Sequence, residues 1–225
     1  MRYQRAILTV LCLFIFATCS AAGRHPSGNP YVPGKYQDGS TAMKPVVILD
    51  AGHGGTDEGA KVRSFLEKKV TLLTTLLTKK HLEELGYRVI LTRSRDTYIS
   101  LPKRVQIANK AKASLFVSIH FNASKSVDAQ GIEVFYYNSD EMWRSRASQR
   151  LAGCILGRVI DQTDGNSRGV KHGNFHVIRE TDMPAVLVEG GFITNQAERN
   201  RLKDRTYLDR IAVGIAQGVD KYLKT

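Results

Sequence analysis

The sequence predicts an α/β domain. From Pro45 onward, short apolar runs such as Val46-Val47-Ile48-Leu49 and Arg88-Val89-Ile90-Leu91 alternate with longer helical patterns, the rhythm of strands laid between helices. That alternation continues to the C-terminus without repeats or low-complexity segments. Composition agrees: 225 residues, 42% hydrophobic and 24% charged, suit one globular domain and exclude disordered, collagenous and coiled-coil chains.

Local patterns justify each element in turn. After the first strand, Val70, Leu73, Leu76, Leu77 and Leu85 recur at helical spacing, so a helix over about Glu67 to Leu85 is expected to bury them. Lys68, Lys69, Lys79, Lys80, Glu83 and Glu84 take its other faces. Gly86 supplies a left-handed stop. On this reading Leu76→Asp unfolds the helix. Ser100 precedes Leu101, Val105, Ala108 and Ala111, and its hydroxyl is expected to cap a second helix. Ser114 to His120 and Gly131 to Tyr137 read as strands, and about Asp140 to Thr163 as a third helix. Asp164 to Asn174 reads as a loop, Phe175 to Ile178 and Ala185 to Glu189 as strands, and about Tyr207 to Leu223 as a closing amphipathic helix. Arg93 and Asp96 are expected to form a structural ion pair.

The N-terminus has the form of an export signal. Arg2 and Arg5 precede an apolar run from Ala6 to Ala17, followed by Ser20, Ala21 and Ala22; the run is too short to span a bilayer comfortably. Cleavage after Ala22 is expected, which makes 1–22 a signal peptide. Lipid attachment at Cys19, and hence to a membrane, is the alternative, although Phe16-Ala17-Thr18 departs from the usual Leu-small-small pattern. Residues 23–44, with three prolines and four glycines, read as a flexible tether, and 45–225 as the functional domain. The chain is therefore expected to be exported, to the periplasm or cell envelope. Loss of two arginines with the signal takes the formal charge from +12 to +10 and leaves Cys154 as the sole cysteine, without an internal disulfide. A basic surface favours polyanions. A nucleic-acid binder would show clustered Lys/Arg with interleaved aromatics and no export signal, so no nucleic-acid partner is expected.

Three apolar strands end in chemically active side chains: Val46 to Leu49 leads to His53, Leu115 to Ile119 to His120, and Ala185 to Val188 to Glu189. Ligands collect at the carboxyl ends of strands in open α/β sheets, so these side chains would meet at one edge. Two imidazoles and a carboxylate with an open position form a hydrolytic zinc arrangement. Glu67, at the start of the first helix, could fold back towards His53 as a further ligand. Each residue alone has an ordinary reading, a hydrogen-bonded histidine or a first-turn charge; Glu189 is harder to dismiss, because a carboxylate closing an apolar strand is costly to bury without a partner. Asp50 is a candidate partner behind the ligands or a turn-stabilising residue. Asn122, His172 and His176 are candidates to line the same edge, although a partly exposed strand position explains the two histidines as well. Cys154, among Leu151, Ile155 and Leu156, reads as a buried inert thiol. Ser100-Leu-Pro-Lys103 fits the S-x-x-K pattern of penicillin-interacting serine enzymes, a weak alternative site because Ser100 is already accounted for as a cap and no S-D-N or K-T-G partner follows.

Four ordered motifs then carry a resemblance: Leu49-Asp-Ala-Gly-His-Gly-Gly55, Leu66-Glu-Lys-Lys-Val-Thr-Leu72, Ser118-Ile-His-Phe-Asn-Ala123 and Val188-Glu-Gly-Gly-Phe-Ile-Thr-Asn195. From about Val46 to the C-terminus the chain resembles the zinc-dependent N-acetylmuramoyl-L-alanine amidases of bacterial peptidoglycan. The resemblance implies a three-layer αβα domain with a mostly parallel, six-stranded mixed sheet. It implies one zinc ion per chain, with His53, Glu67 and His120 at the ligand positions and Glu189 at that of the catalytic carboxylate. The implied substrate is the amide joining N-acetylmuramic acid to L-alanine, in polymeric peptidoglycan, a muropeptide or a lipid-linked precursor. Two departures stand out: Ala51 replaces a commoner proline, and Gly190 replaces a usually larger residue and is expected to widen the cleft. A zinc carboxypeptidase acting on the same stem peptides is the nearest rival. Regulated members of the family carry a long insertion that covers the zinc; with only 37 residues between Tyr137 and Phe175, no activator protein is expected to be required.

Overall fold

In the computed structural model, residues 44–225 are described; the expected signal peptide 1–22, with Cys19, and nearly all of the expected tether 23–44 lie outside them. In chain order the elements are β1 (Val46–Ala51), β2 (Lys61–Val62), β3 (Phe65–Leu66), α1 (Glu67–Glu84), β4 (Arg88–Leu91), α2 (Leu101–Lys110), β5 (Leu115–Asn122), β6 (Ile132–Tyr136), α3 (Met142–Thr163), β7 (Ser167–His172), α4 (His176–Arg179), β8 (Ala185–Phe192), α5 (Gln196–Arg201) and α6 (Arg205–Lys224). Six strands form one sheet in the order β4-β1-β5-β8-β6-β7, and β2 and β3 form a separate small hairpin. The pairs β1–β4, β1–β5, β5–β8 and β6–β7 are parallel, and only β6–β8 is antiparallel, so the expected mostly parallel, mixed six-stranded sheet is present.

Near-continuous apolar runs make β1, β5 and β8 the centre, because helices cover both faces there. Ile48, Phe116, Ala185 and Leu187 join Ala108 of α2 and Val177 and Ile178 of α4 in one buried cluster. Across the sheet, α1 packs on β1 and β5, α3 on β6 to β8, and α6 against both helices. Burying side chains such as Ile48, Ile119 and Leu151, all fully excluded from solvent, contributes about 1.5–3 kcal/mol each.

The structure corrects several expectations. On α1, Leu76 and Leu85 are exposed, and the buried face is instead Val70, Thr71, Thr74, Thr75, Leu77, Thr78 and Leu82. Two of the four buried threonine hydroxyls are answered locally, Thr78 Oγ1 donating to the carbonyl of Thr74 at 2.9 Å and Thr71 Oγ1 to that of Gly52 at 2.8 Å, while those of Thr74 and Thr75 have no partner among the described residues. Gly86, at φ +89°, is the expected left-handed stop. Residues 175–178 are not a strand: Phe175 precedes the short helix α4. The expected loop 164–174 instead contains β7, an edge strand on β6. Ser100 does occupy the cap position of α2, but its side chain makes no capping bond. Asp96 pairs with Lys68 at 2.9 Å rather than with Arg93, whose guanidinium donates to the carbonyls of Ala51, Gly52, Lys68 and Arg95.

Candidate active site

Strand register assembles the site. His120 on β5 lies opposite Glu189 on β8, and Glu189 opposite Glu133 on β6, so three ionisable side chains share one row and one face of the sheet. Two residues earlier along β5, the same face carries Ser118, paired with Asp50 of β1.

His53 arrives from the turn after β1. Gly52 donates its amide to the carbonyl of Ile119 at 3.1 Å, and a Cβ at Gly52 would collide with the His120 ring. His53 itself is left-handed at φ +60°, a costly conformation for a non-glycine residue; Arg104 fixes its carbonyl with a 2.7 Å hydrogen bond. Glu67 opens α1 and is folded back by the turn above it, donating its amide to Ala60 at 2.9 Å and accepting the Ala60 amide on Oε2 at 2.8 Å.

That turn brings Glu67 between the two rings. Its Oε2 lies 3.1 Å from His53 Nε2 and its Oε1 2.9 Å from His120 Nδ1. Ligating atoms from these three residues all fall within 4.8 Å of one another, a group able to hold a metal ion. Burial pushes the Glu67 carboxyl up, but hydrogen bonds and charge from His120 and His53 outweigh it and hold the group far below the usual carboxylate range. At His53, burial acts to lower the pKa; hydrogen bonds and charge from Glu67 and Asp57 prevail and raise it. Asp57 Oδ2 stands 2.9 Å from His53 Nδ1, fixing the ring from behind.

Glu189 is different in kind. Its Oε2 is buried and has no hydrogen-bond partner among the described residues. Burial, reinforced by the charges of Glu67 and Glu133, pushes its pKa well above the ordinary carboxylate value. His53, Glu67, His120, Asn122, His176 and Glu189 line a single cleft of about 320 Å³, with the exposed side chains of Leu101 and Phe175 also on its wall.

The remaining candidates divide. Asn122 and His176 line the cleft. His172 does not: it is exposed at the end of β7, with its ring centroid 5.9 Å from that of Tyr137. Asp50 is not hydrogen-bonded to the three clustered residues; it is buried, accepting from Arg104 at 2.7 Å, Thr92 at 2.6 Å and Ser118 at 2.8 Å. Burial raises its pKa, but Arg104 and these hydrogen bonds lower it below the usual value. Ser100 and Lys103 lie outside the cleft lining, and Lys103 Nζ donates to Gln106. Gly190 does not widen the cleft: a Cβ there would come within 2.7 Å of Phe121, whose ring already fills the space. Sequence reasoning missed Asp57 and Glu133. The signal for Glu133 was present, since it too is a carboxylate within an apolar strand.

An α/β sheet thus delivers two imidazoles and a bridging carboxylate, a group able to hold a metal ion, to one cleft beside a carboxylate whose Oε2 has no partner among the described residues, the arrangement of a hydrolase. The sequence profile of N-acetylmuramoyl-L-alanine amidases matches residues 47–221, and the chain belongs to that family of hydrolases. The catalytic domain of the amidase CwlV from Bacillus (Paenibacillus) polymyxa var. colistinus is 42% identical, with a TM-score of 0.75 over 80% of this chain and 98% of that one. The CwlD amidase of Clostridioides difficile, solved in complex with the GerS lipoprotein, is 34% identical, with a TM-score of 0.75 over 80% of this chain and 98% of that one. The amidase LytC of Bacillus subtilis (strain 168) is 38% identical over 178 residues, which are 79% of this chain but only 35% of LytC. The chain thus matches about a third of that relative's length.

Proposed function

We propose that this protein is an exported, zinc-dependent N-acetylmuramoyl-L-alanine amidase that cuts the amide between N-acetylmuramic acid and L-alanine of the peptidoglycan stem peptide. The observation that carries this reading is Glu67 bridging His53 and His120 in the cleft that also holds the unpartnered Oε2 of Glu189. The donor set suits zinc: two imidazoles and a carboxylate, with Asp57 hydrogen-bonded to the far nitrogen of one ring. Zinc bound there would supply Lewis acidity to the scissile carbonyl and to the attacking water.

The chain's own residues do the rest. Glu67 stands between both imidazoles as the carboxylate that would complete the donor set, and Asp57 with Arg104 locks the left-handed His53 turn. Glu189 accepts a proton from water on Oε2 and returns it to the leaving nitrogen of L-alanine, a transfer typically worth about 10²–10⁴ in rate. A buried carboxylate with a raised pKa is suited to holding that proton between the two half-steps. Asn122 and His176 contribute polar walls against the peptide.

The test is product analysis of purified peptidoglycan and soluble muropeptides treated with the zinc-loaded protein. Whole stem peptides beginning with L-alanine are expected. Release of free D-alanine would instead establish a carboxypeptidase, and a stoichiometric penicillin adduct at Ser100 a serine enzyme. His53→Ala and His120→Ala should lose zinc and turnover together, whereas Glu189→Gln should keep zinc and lose turnover.

The same reading holds that no activator is required. Between β6 and α4 the chain is spent on α3, which packs on the sheet, and on β7, which pairs with β6; the described residues there include no further helix to cover the cleft. Full turnover by the isolated chain is expected, and turnover that appears only with an added partner, as a GerS-like lipoprotein would provide, would refute it. Among the described residues no helix is long and apolar enough to cross a membrane; attachment through Cys19 is the alternative to cleavage after Ala22.

A further inference from the structure

Beside the cleft lies a charged cluster that the mechanism does not use. Glu133, on β6, is a buried carboxylate with a side chain only 5% exposed. Its Oε2 accepts from Arg168 Nε at 2.8 Å and from Lys171 Nζ at 2.5 Å, and its Oε1 accepts from Asn122 Nδ2 at 2.7 Å. One cation would be enough to neutralise this group. Two are held, so the cluster keeps a net positive charge, and both cations remain over a third exposed.

The cations are also held in place. The guanidinium of Arg168 lies 4.9 Å from the centroid of the Phe192 ring, and its Nη1 donates to the carbonyl of Gln130 at 3.3 Å; Nη2 has no partner among the described residues. Fixing the plane of a guanidinium while leaving an outer nitrogen free prepares it to grip a carboxylate. Topology sets the distance. Because β6 runs antiparallel to β8, its N-terminal half and that of β7, which carries Arg168, reach the site end of the sheet; Lys171, in register with Phe135, reaches back to Glu133, which stands directly opposite Glu189. Adjacent strands lie roughly 4.8 Å apart, so β7 is about 10 Å from the strand of Glu189. Two extended residues span roughly 7 Å, and a lysine or arginine side chain covers the remainder.

We propose that Arg168 and Lys171, spaced by Glu133, form an anchoring site for the first free carboxylate of the stem peptide, on the second residue after the scissile amide. The proposal rests on the amidase reading. Glu133 acts as a positioning residue: it holds both cations and, through its other oxygen, the amide of Asn122 on the cleft wall. A net positive site at this distance selects an acidic peptide over an amidated one, because a carboxamide offers no charge to the cluster.

The experiment compares two soluble N-acetylmuramoyl peptides, identical except that the second residue is D-glutamate with a free α-carboxylate or its α-amide, each cleaved by the zinc-loaded full chain. The acid is expected to be favoured in kcat/KM by about tenfold or more, mainly through KM. Lys171→Gln and Arg168→Gln should each collapse that ratio towards one, and Lys171→Arg should restore it. A purely structural cluster would lower thermal stability and affect both substrates equally. Equal kcat/KM for acid and amide in the unaltered protein overturns the proposal, as does a preference that survives both substitutions together. If neither peptide is cleaved, the amidase reading has failed. The site is then judged by equilibrium binding of the same two peptides to Glu189→Gln protein, where tighter binding of the acid supports it and equal affinity overturns it.

Discussion

Arg104→Met tests the buried network beneath the His53 turn. Arg104 and Asp50 are 2% and 1% exposed and meet at 2.7 Å, so removing the guanidinium strands a carboxylate in the core. Breaking one side of such a pair costs about 3–5 kcal/mol, a large share of the roughly 5–15 kcal/mol that stabilises a domain. Thr92 and Ser118 still donate to Asp50, which favours the lower end of that range, while the carbonyls of Ile99 and His53 lose a donor. The sign of the pH dependence should also reverse. In the intact protein the Asp50 pKa is lowered by folding, so its contribution is present above the unfolded value of about 3.9 and is lost as pH falls through the folded value. Without Arg104, burial dominates and raises the folded pKa. Stability then falls by up to about 1.4 kcal/mol per unit as pH rises from about 4 to that raised value. Urea unfolding at pH 4.5 and 7, for Arg104→Met, Asp50→Asn and the double variant, measures both effects. The double variant should be more stable than Arg104→Met at pH 7. Strict additivity, or an Arg104→Met cost independent of pH, would refute the argument.

Three further outcomes are expected. Leu76 is 37% exposed, so Leu76→Asp should cost about 1 kcal/mol or less, whereas Leu82→Ala, at a fully buried position of the same helix, should cost about 2–5 kcal/mol; a reversed order in urea midpoints would contradict the assignment of the α1 face. Ser100→Ala should change stability by no more than about 0.5 kcal/mol, because the hydroxyl caps nothing, and a loss above 1 kcal/mol would restore the capping role. Gly52→Ala would drive a methyl into the His120 ring; zinc content by mass spectrometry and turnover should both fall, the latter by about 10²-fold or more, and retention of both would show that the turn can yield.

Much of the site was legible because its residues sit where local pattern breaks. A histidine or glutamate closing a run of Val, Ile and Leu is conspicuous, and His53, His120 and Glu189 were found that way. Asp57 was hidden in a polar turn where an aspartate draws no notice. Arg104 was hidden as one of many basic helix residues, although it reaches back to His53. Of the polar candidates proposed for the edge, His176 reached the cleft through helix α4 rather than through the strand expected there, and His172 did not reach it.

What the sequence by itself determined is the order of the main strands and helices outside residues 164–178, the mostly parallel character of the sheet through its resemblance, and the motifs that carry the cluster residues, because apolar periodicity and glycine placement act over a few neighbouring residues. Tertiary structure alone decided which side of α1 is buried. Packing against the sheet and α6 excludes Val70, Thr71, Thr74, Thr75, Leu77, Thr78 and Leu82 from solvent, with Thr71 donating to the Gly52 carbonyl across the contact, and leaves Leu76 and Leu85 outside. It alone made a strand of Ser167–His172, whose polar residues carry no hydropathy signal and whose conformation comes from pairing with β6 at the sheet edge. And it alone set Glu133 beside Glu189, because strand register acts across distances in the chain that no local pattern records; Glu67, expected from its motif, is brought between histidines 14 and 53 residues away by a single tight turn.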